Sequence, residues 1–186
     1  MRMQAWLCSL RLAGVTLLVC SGAYTALVLG VAQVAMPHTA NGSLLTGNDG
    51  CVIGSALIAQ AFTQPQYFWP RPSAVAWNAA SAGGGNKSPT SADLAERARA
   101  TVAAYGATAE RPLPADLAAA SGSGLDPHIS ETAARYQIER VAAARNRPAA
   151  DVAALVDRLS FAPGGALAHT RIVNVLELNR ALDGMQ

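Results

Sequence analysis

The chain has 186 residues, of which 51% are hydrophobic and 14% charged, with a formal net charge of +2. The whole positive excess is Arg2 and Arg11, because from Pro37 onward 12 basic side chains are balanced by 12 acidic ones. A nucleic-acid binder needs clustered positive charge to displace counterions, so that class is excluded, while the 150 residues after Met36 suffice for one domain with its own core.

Between Arg11 and Asp49 no residue carries a formal charge, and residues 12–36 form an apolar run in which Gln33 is the one strongly polar side chain. As a helix rising about 1.5 Å per residue the run spans roughly 37 Å, against a hydrocarbon core of about 30 Å. Short flanks rich in Arg stay in the cytoplasm. The expected layout is therefore a cytoplasmic segment 1–11, a transmembrane helix 12–36 and an extracytoplasmic domain 37–186. A cleaved secretory signal is the competing reading, with Gly30-Val31-Ala32 as the cleavage site, although such signals have apolar regions of about 7–15 residues. In a lipoprotein site Val19 would stand before Cys20 where a small residue is required. Under the anchored and the cleaved readings alike, residues 37–186 leave the cytoplasm. Gly22, Ala26 and Gly30 recur every four residues, and small residues at that spacing let a second helix pack closely.

On this layout Cys8, Cys20 and Cys51 lie in three different environments, so no intrachain disulfide is expected, and Cys51 reads as a small buried apolar residue. Residues 37–50 read as a loop. Ser55 is placed to cap a short helix over residues 56–62, with Leu57, Ile58, Ala61 and Phe62 on one face. Residues 64–89 hold four prolines and Gly83-Gly84-Gly85, which marks an irregular segment. Residues 91–105 read as a helix with Leu94, Ala98, Val102 and Tyr105 aligned. A short apolar piece follows at 115–120 and a flexible turn at 121–124. Ser130 caps a helix to about Arg145, with Ala134, Ile138, Val141 and Ala142 inward. Another starts at Pro148, with Val152, Leu155, Val156 and Leu159 inward. Residues 161–168 read as a loop and 170–173 as a short strand. Asn174 and Glu177 fit a variant capping box opening a last helix with Val175, Leu178 and Leu182 inward. The fold class is α+β: one N-terminal transmembrane helix, then a helix-rich extracytoplasmic domain with a few short strands.

The chemical motifs are sparse. Residues 81–88 miss a phosphate-binding loop twice, since that motif needs glycine where Ser81 and Asn86 stand. His38, His128 and His169 lie at no metal-ligand spacing. Asp126-Pro127-His128 reads as a turn before the Ser130 helix. Ser121 or Ser123 with His128 is the one candidate for a hydrolase nucleophile and base, and it needs contacts the sequence does not provide. No catalytic residue, metal site or cofactor site is assigned.

Seven blocks carry a resemblance. They are ANGSL (residues 40–44), GSALIAQAF (54–62), YFWPRPSA (67–74), SAGGGN (81–86), ASGSGLDPHIS (120–130), QIERVAAARN (137–146) and VNVLELNRALD (173–183). In their order after one N-terminal span the chain resembles KdpC, the C subunit of the bacterial Kdp potassium-transporting P-type ATPase. Ser121, Gly122, Ser123, Gly124, Asp126, Asn174, Glu177 and Asn179 are its signature residues here. The chain departs from the family's pattern at Ala59, at Trp69-Pro70 and in the glycine-rich block. The resemblance implies a non-catalytic inner-membrane subunit whose partners are a channel-like potassium-translocating subunit, a P-type ATPase subunit and the lipid bilayer. It also implies a part in assembly and a catalytic-chaperone role that raises the ATPase subunit's affinity for ATP. The charge rule leaves only residues 1–11 on the side where ATP is found, and they hold no phosphate-cradling loop. ATP is therefore expected to act through the complex rather than as a resident cofactor.

Overall fold

The computed structural model describes residues 2–47, 49–165 and 169–185. It divides into two compact units, residues 1–44 and 45–186. In the first, helix α1 (Arg2–Leu17) runs through a π-helical stretch (Leu18–Ala23) into α2 (Tyr24–Ala35). Together they make an apolar helix of 33 residues, Met3–Ala35, with none of its most apolar window buried against protein. A helix apolar all round has no water-facing side, which suits a lipid environment. Pro37 opens a one-turn helix α3 (Pro37–Ala40). There the Asn41 carboxamide folds back and exchanges two hydrogen bonds of 3.3 Å with that of Gln33.

The chain enters the second unit through a two-stranded hairpin, β1 (Leu44–Thr46) and β2 (Val52–Ser55), whose first residue is the last of the first unit. Two expectations fail here. The 37–50 segment is not a plain loop, since it contains α3 and β1. Cys51 is exposed, because it sits at the hairpin turn, with its N–H on Asp49 Oδ1 at 3.0 Å and its carbonyl accepting from Gly47. The expected helix over 56–62 does not form either. Ser55 caps a single turn, accepting from Leu57 N–H at 3.1 Å. Ala59 N–H then goes to Leu125 O at 2.9 Å instead of to a helical carbonyl. A seven-residue run is too short to hold helix against such a competing tertiary bond.

The remaining elements lie close to expectation. Helix α4 (Ala92–Tyr105) follows Ser91 and ends at Gly106, which takes the left-handed conformation. None of its residues is fully buried, so it lies on the periphery. A single turn, α5 (Ala115–Ala118), buries Leu117. Strand β3 (His128–Ser130) pairs antiparallel with β4 (Ile172–Asn174) in the register His128↔Asn174, Ile129↔Val173, Ser130↔Ile172. Each strand's last residue caps the helix that follows. Ser130 Oγ accepts from Ala133 N–H at 3.0 Å at the start of α6 (Glu131–Ala144). Asn174 Oδ1 accepts from Glu177 N–H at 3.2 Å at the start of α8 (Val175–Asp183). Helix α7 (Ala149–Leu159) starts after Pro148.

Ile129 and Val173, the central strand pair, are buried together with Ile138, Val141, Val152, Leu155, Val156, Leu178 and Leu182 from α6, α7 and α8. Burying a side chain of this kind stabilises by about 1.5–3 kcal/mol, so this cluster holds the unit together without a disulfide; all three cysteines are free. The expected loop at 161–168 falls partly outside the described residues.

Candidate functional site

The loops around residues 56–86 and 120–128 have few ladder bonds of their own, so their backbone groups must find partners elsewhere. They find them in one another. Ser121 N–H donates to Pro72 O at 2.9 Å and Gly83 N–H to Ser123 O at 2.8 Å. Ser73 Oγ donates to Gly124 O at 2.7 Å. Asn174 Nδ2 donates to Ala56 O at 2.7 Å, and Val175 N–H to Pro127 O at 2.9 Å. The structure thus brings the 120–130 block together with the proline-rich loop, the glycine block and the start of α8.

Two glycines make this approach feasible. Gly124 has φ +70°, and a Cβ there would lie 2.6 Å from Val75 Cγ2 and 2.8 Å from Gly83 O. A Cβ on Gly84 would lie 2.7 Å from Gly122 O. Gly122 has open space at the same position, so it is the neighbours that need the room.

Asp126 is the charged centre of the interlock. Its Oδ1 accepts from His128 N–H at 3.0 Å and stands 3.3 Å from His128 Nδ1. Its Oδ2 is 3.3 Å from Arg71 Nη1, and Arg71 also donates to Ala120 O. The His128 ring bond, then the His128 N–H and charge and the Arg71 guanidinium, hold its carboxyl below the usual carboxylate range against an opposing cost of burial. The His128 ring also meets Phe161 edge-on, with centroids 5.8 Å apart.

The two serines are used in the loop. Ser121 Oγ accepts from Gly124 N–H at 3.1 Å and Asp126 N–H at 3.4 Å. Ser123 Oγ accepts from Leu125 N–H at 3.1 Å, and the two hydroxyls stand 3.3 Å apart. Asp126 and His128 do meet, but among the described residues neither hydroxyl is hydrogen-bonded to His128. The arrangement organises a turn.

A second feature escaped the sequence reading. Two buried carboxamides clasp the extended loop at Phe68 and Trp69. Asn179 Oδ1 accepts from Phe68 N–H at 2.8 Å and its Nδ2 donates to Phe68 O at 3.0 Å. Gln137 does the same for Trp69, at 2.8 and 3.1 Å. Arg140 stacks over the Trp69 ring at 3.9 Å and donates to Pro65 O, Tyr67 O and Gln137 Oε1. Arg145 donates to Gln66 O and to Asp183. The signal that could have found the clasp is that Gln137 and Asn179 are polar residues on otherwise inward apolar stripes. Of the other signature positions, Asn174 is a cap that also holds Ala56. The Glu177 side chain lies exposed beside a cleft of about 750 Å³ whose walls include Ile53, Phe62, Tyr67, Leu176 and Arg180.

In the apolar helix the small residues are not equivalent. Gly22 falls inside the π-helical stretch. Ala26 and Gly30 lie one turn apart in α2 and share a shallow apolar groove with Leu27, Val31, Val34 and Ala35. A Cβ added at Gly22 or Gly30 would meet nothing within 4 Å.

The family described as "KdpC: K+-transporting ATPase, c chain" matches residues 6–184. The "Potassium-transporting ATPase KdpC subunit" of Parvibaculum lavamentivorans is 61% identical over 184 residues, covering 99% of this chain and 98% of that one. The protein of the same description from Paraburkholderia phytofirmans is 49% identical over 171 residues, covering 88% of each. That from Caulobacter vibrioides is 48% identical over 166 residues, covering 87% of this chain and 83% of its own.

Proposed function

Because this chain belongs to the KdpC family of K+-transporting ATPase c chains, we propose that it is a non-catalytic subunit anchored in the inner membrane by residues 12–36. Residues 1–11 lie inside and residues 37–186 outside. Its partners are a channel-like potassium-translocating subunit and a P-type ATPase subunit. Its work is to hold that assembly together and to favour the ATPase conformation that binds ATP well. A domain on the outer face reaches the nucleotide only through its partners' conformational equilibrium, which is a coupling free energy between distant sites.

One observation carries the non-catalytic reading. The family's polar signature groups, the Ser121 and Ser123 hydroxyls and the Asp126 carboxylate, accept hydrogen bonds from backbone N–H groups of their own turn, while the backbone of that turn bonds the neighbouring loops at Pro72 and Gly83. Such interlocking yields a stiff surface of fixed shape, which is what docking requires. The groove at Ala26 and Gly30 supplies a place for close packing of a partner helix within the bilayer.

The deciding experiment is a pull-down of the full-length chain from detergent-solubilised membranes, with mass spectrometry of what comes with it. Two larger membrane subunits in fixed ratio are expected. A soluble monomer whose esterase or peptidase activity is lost on Ser123→Ala overturns the reading in favour of a hydrolase. Orientation is read separately. An impermeant maleimide applied to spheroplasts should label Ala103→Cys, exposed on α4, in a chain whose native cysteines are serines.

A further inference from the structure

The hairpin that follows the apolar helix is built unlike the rest of the second unit. A two-stranded hairpin is marginal in water on its own, and this one turns apolar side chains outward. Val52 is 58% exposed, Leu57 59%, Leu44 47% and Ile53 36%. Most of the other large exposed apolar side chains lie on residues 3–36, with Val102 and Phe161 as isolated cases elsewhere. Scattered single exposures are ordinary; a run of four in one hairpin and the turn after it is not.

Two observations say what covers it. The first is position along the chain. The Asn41 carboxamide returns to Gln33 in the last turns of α2, so the chain at residue 41 is still beside the end of the apolar helix, and β1 starts three residues later. Three residues reach at most about 10 Å, a distance comparable with the headgroup layer of about 5–8 Å on each side of a bilayer, so β1 begins within reach of that layer. The second is charge. From Leu12 to Pro70, Asp49 is the only formally charged side chain. The uncharged stretch does not stop where the helix stops; it continues through both strands and the turn at Leu57.

We propose that the β1–β2 hairpin is a second membrane contact, with Leu44, Val52 and Leu57 seated in the interfacial layer of the outer leaflet, while Ile53, next to Val52 on the strand, turns to the opposite face and into the cleft. The proposal rests on the anchored reading above. Apolar contact is what holds the hairpin there, since the hairpin's own residues include no Lys or Arg for anionic headgroups. The contact therefore forms on uncharged phosphatidylcholine and is indifferent to salt. Asp49, whose carboxylate accepts from Cys51 N–H, stays charged and keeps the hairpin turn at the water side. A surface domain held by both a helix and a hairpin is restricted in tilt as well as in position.

The test uses the intact complex in phosphatidylcholine nanodiscs, with Cys8, Cys20 and Cys51 changed to serine and one environment-sensitive fluorophore on a new cysteine. Val52→Cys and Leu57→Cys probe the hairpin, Leu27→Cys the membrane helix and Ala103→Cys the water-facing α4. Labels at 52 and 57 should be quenched by lipids carrying a nitroxide near the headgroup and not by iodide, equally at low and high salt. Iodide quenching at 52 and 57, or protection from both quenchers because a partner subunit covers the hairpin, overturns the proposal. The Leu27 label separates the two readings. If it is lipid-quenched while 52 and 57 are not, only the hairpin contact fails; if it is not, the anchor fails as well.

Discussion

Asn179 and Phe68 are paired as if they were neighbours in a sheet. The Asn179 side chain, 1% exposed, accepts from the Phe68 N–H and donates to the Phe68 carbonyl, while the Phe68 ring is fully buried in the helical core. A single side chain thus satisfies both backbone groups of a residue that has no strand beside it. Asn179→Ala leaves both unpaired in a dry site, at about 1–3 kcal/mol each, so a loss of about 2–6 kcal/mol is expected in urea unfolding of the full-length chain. Asn179→Asp keeps the acceptor and loses the donor at neutral pH. Its buried carboxylate should make it less stable at pH 7 than at pH 5, where the carboxyl is closer to its protonated, donating form.

The glycines of the signature loops should separate sharply under substitution. Gly124→Ala forces a Cβ onto a left-handed residue, costing about 1–2 kcal/mol, and drives it against Val75 and Gly83 O. Gly84→Ala collides with the Gly122 carbonyl, which is backbone and cannot swing away. Gly122→Ala meets open space and should stay within about 0.5 kcal/mol of the parent. Thermal melts of the three variants check the order. Equal losses at all three would mean that the loops do not interlock as described.

Asp126 gives this region a pH signature. Its pKa is depressed in the folded state, chiefly by the bond from the His128 ring. The sign follows from linkage: the stabilisation is present above the carboxyl's unfolded pKa, near 4, and is lost as pH falls through the lower folded value. Asp126→Asn should therefore lower the melting temperature at pH 6–7, with the gap to the parent closing below about pH 4. Because the pair is partly solvated, the gap is modest. A gap that does not narrow at all as pH falls below about 4 would show that the substituted carboxamide harms packing and not charge.

The helical half of the fold was legible because its signals are local. Ser130 and Asn174 stand before apolar stripes at the right spacing, and both cap in the structure. Replacing Ser130 with Ala should cost about 1 kcal/mol. Asn174→Ala should cost more, since Asn174 also holds the Ala56 carbonyl; amide exchange in the first turns of α6 and α8 reads both. The failures are non-local. Residues 56–62 have helical spacing, yet Ala59 N–H is taken by Leu125, 66 positions on. Cys51 reads as apolar by composition, but a hairpin turn leaves it outside. The clasp by Gln137 and Asn179 could be suspected only as two polar residues on inward faces, because their partners lie 68 and 111 positions away. The signature serines and Asp126 were legible as a block, whereas their tasks were not: the hydroxyls accept from backbone amides of their own turn, and Asp126 reaches the proline-rich loop through Arg71, 55 positions away.

In the membrane helix the structure refines what the small-residue spacing suggests. Three small residues four apart form a straight stripe only in a regular α-helix. Here Gly22 lies in a π-helical stretch with i→i+5 bonds, Tyr24 N–H reaching Val19 O, and residues there are turned away from the α-helical stripe. Ala26 and Gly30 lie in regular helix and share the groove. Gly30→Leu and Ala26→Leu should therefore each reduce co-purification of the larger subunits, and Gly22→Leu alone should reduce it less. Insertion is unharmed in all three, since leucine is apolar and, at the two glycines, an added Cβ has open space within 4 Å. The double variant Gly22→Leu, Gly30→Leu should lose most of the association, because close approach is what lets two helices gain dispersion energy in lipid, where no hydrophobic force drives them together. If that variant still co-purifies at parental stoichiometry, the apolar helix contributes no packing to the association, and residues 45–186 must carry it by themselves.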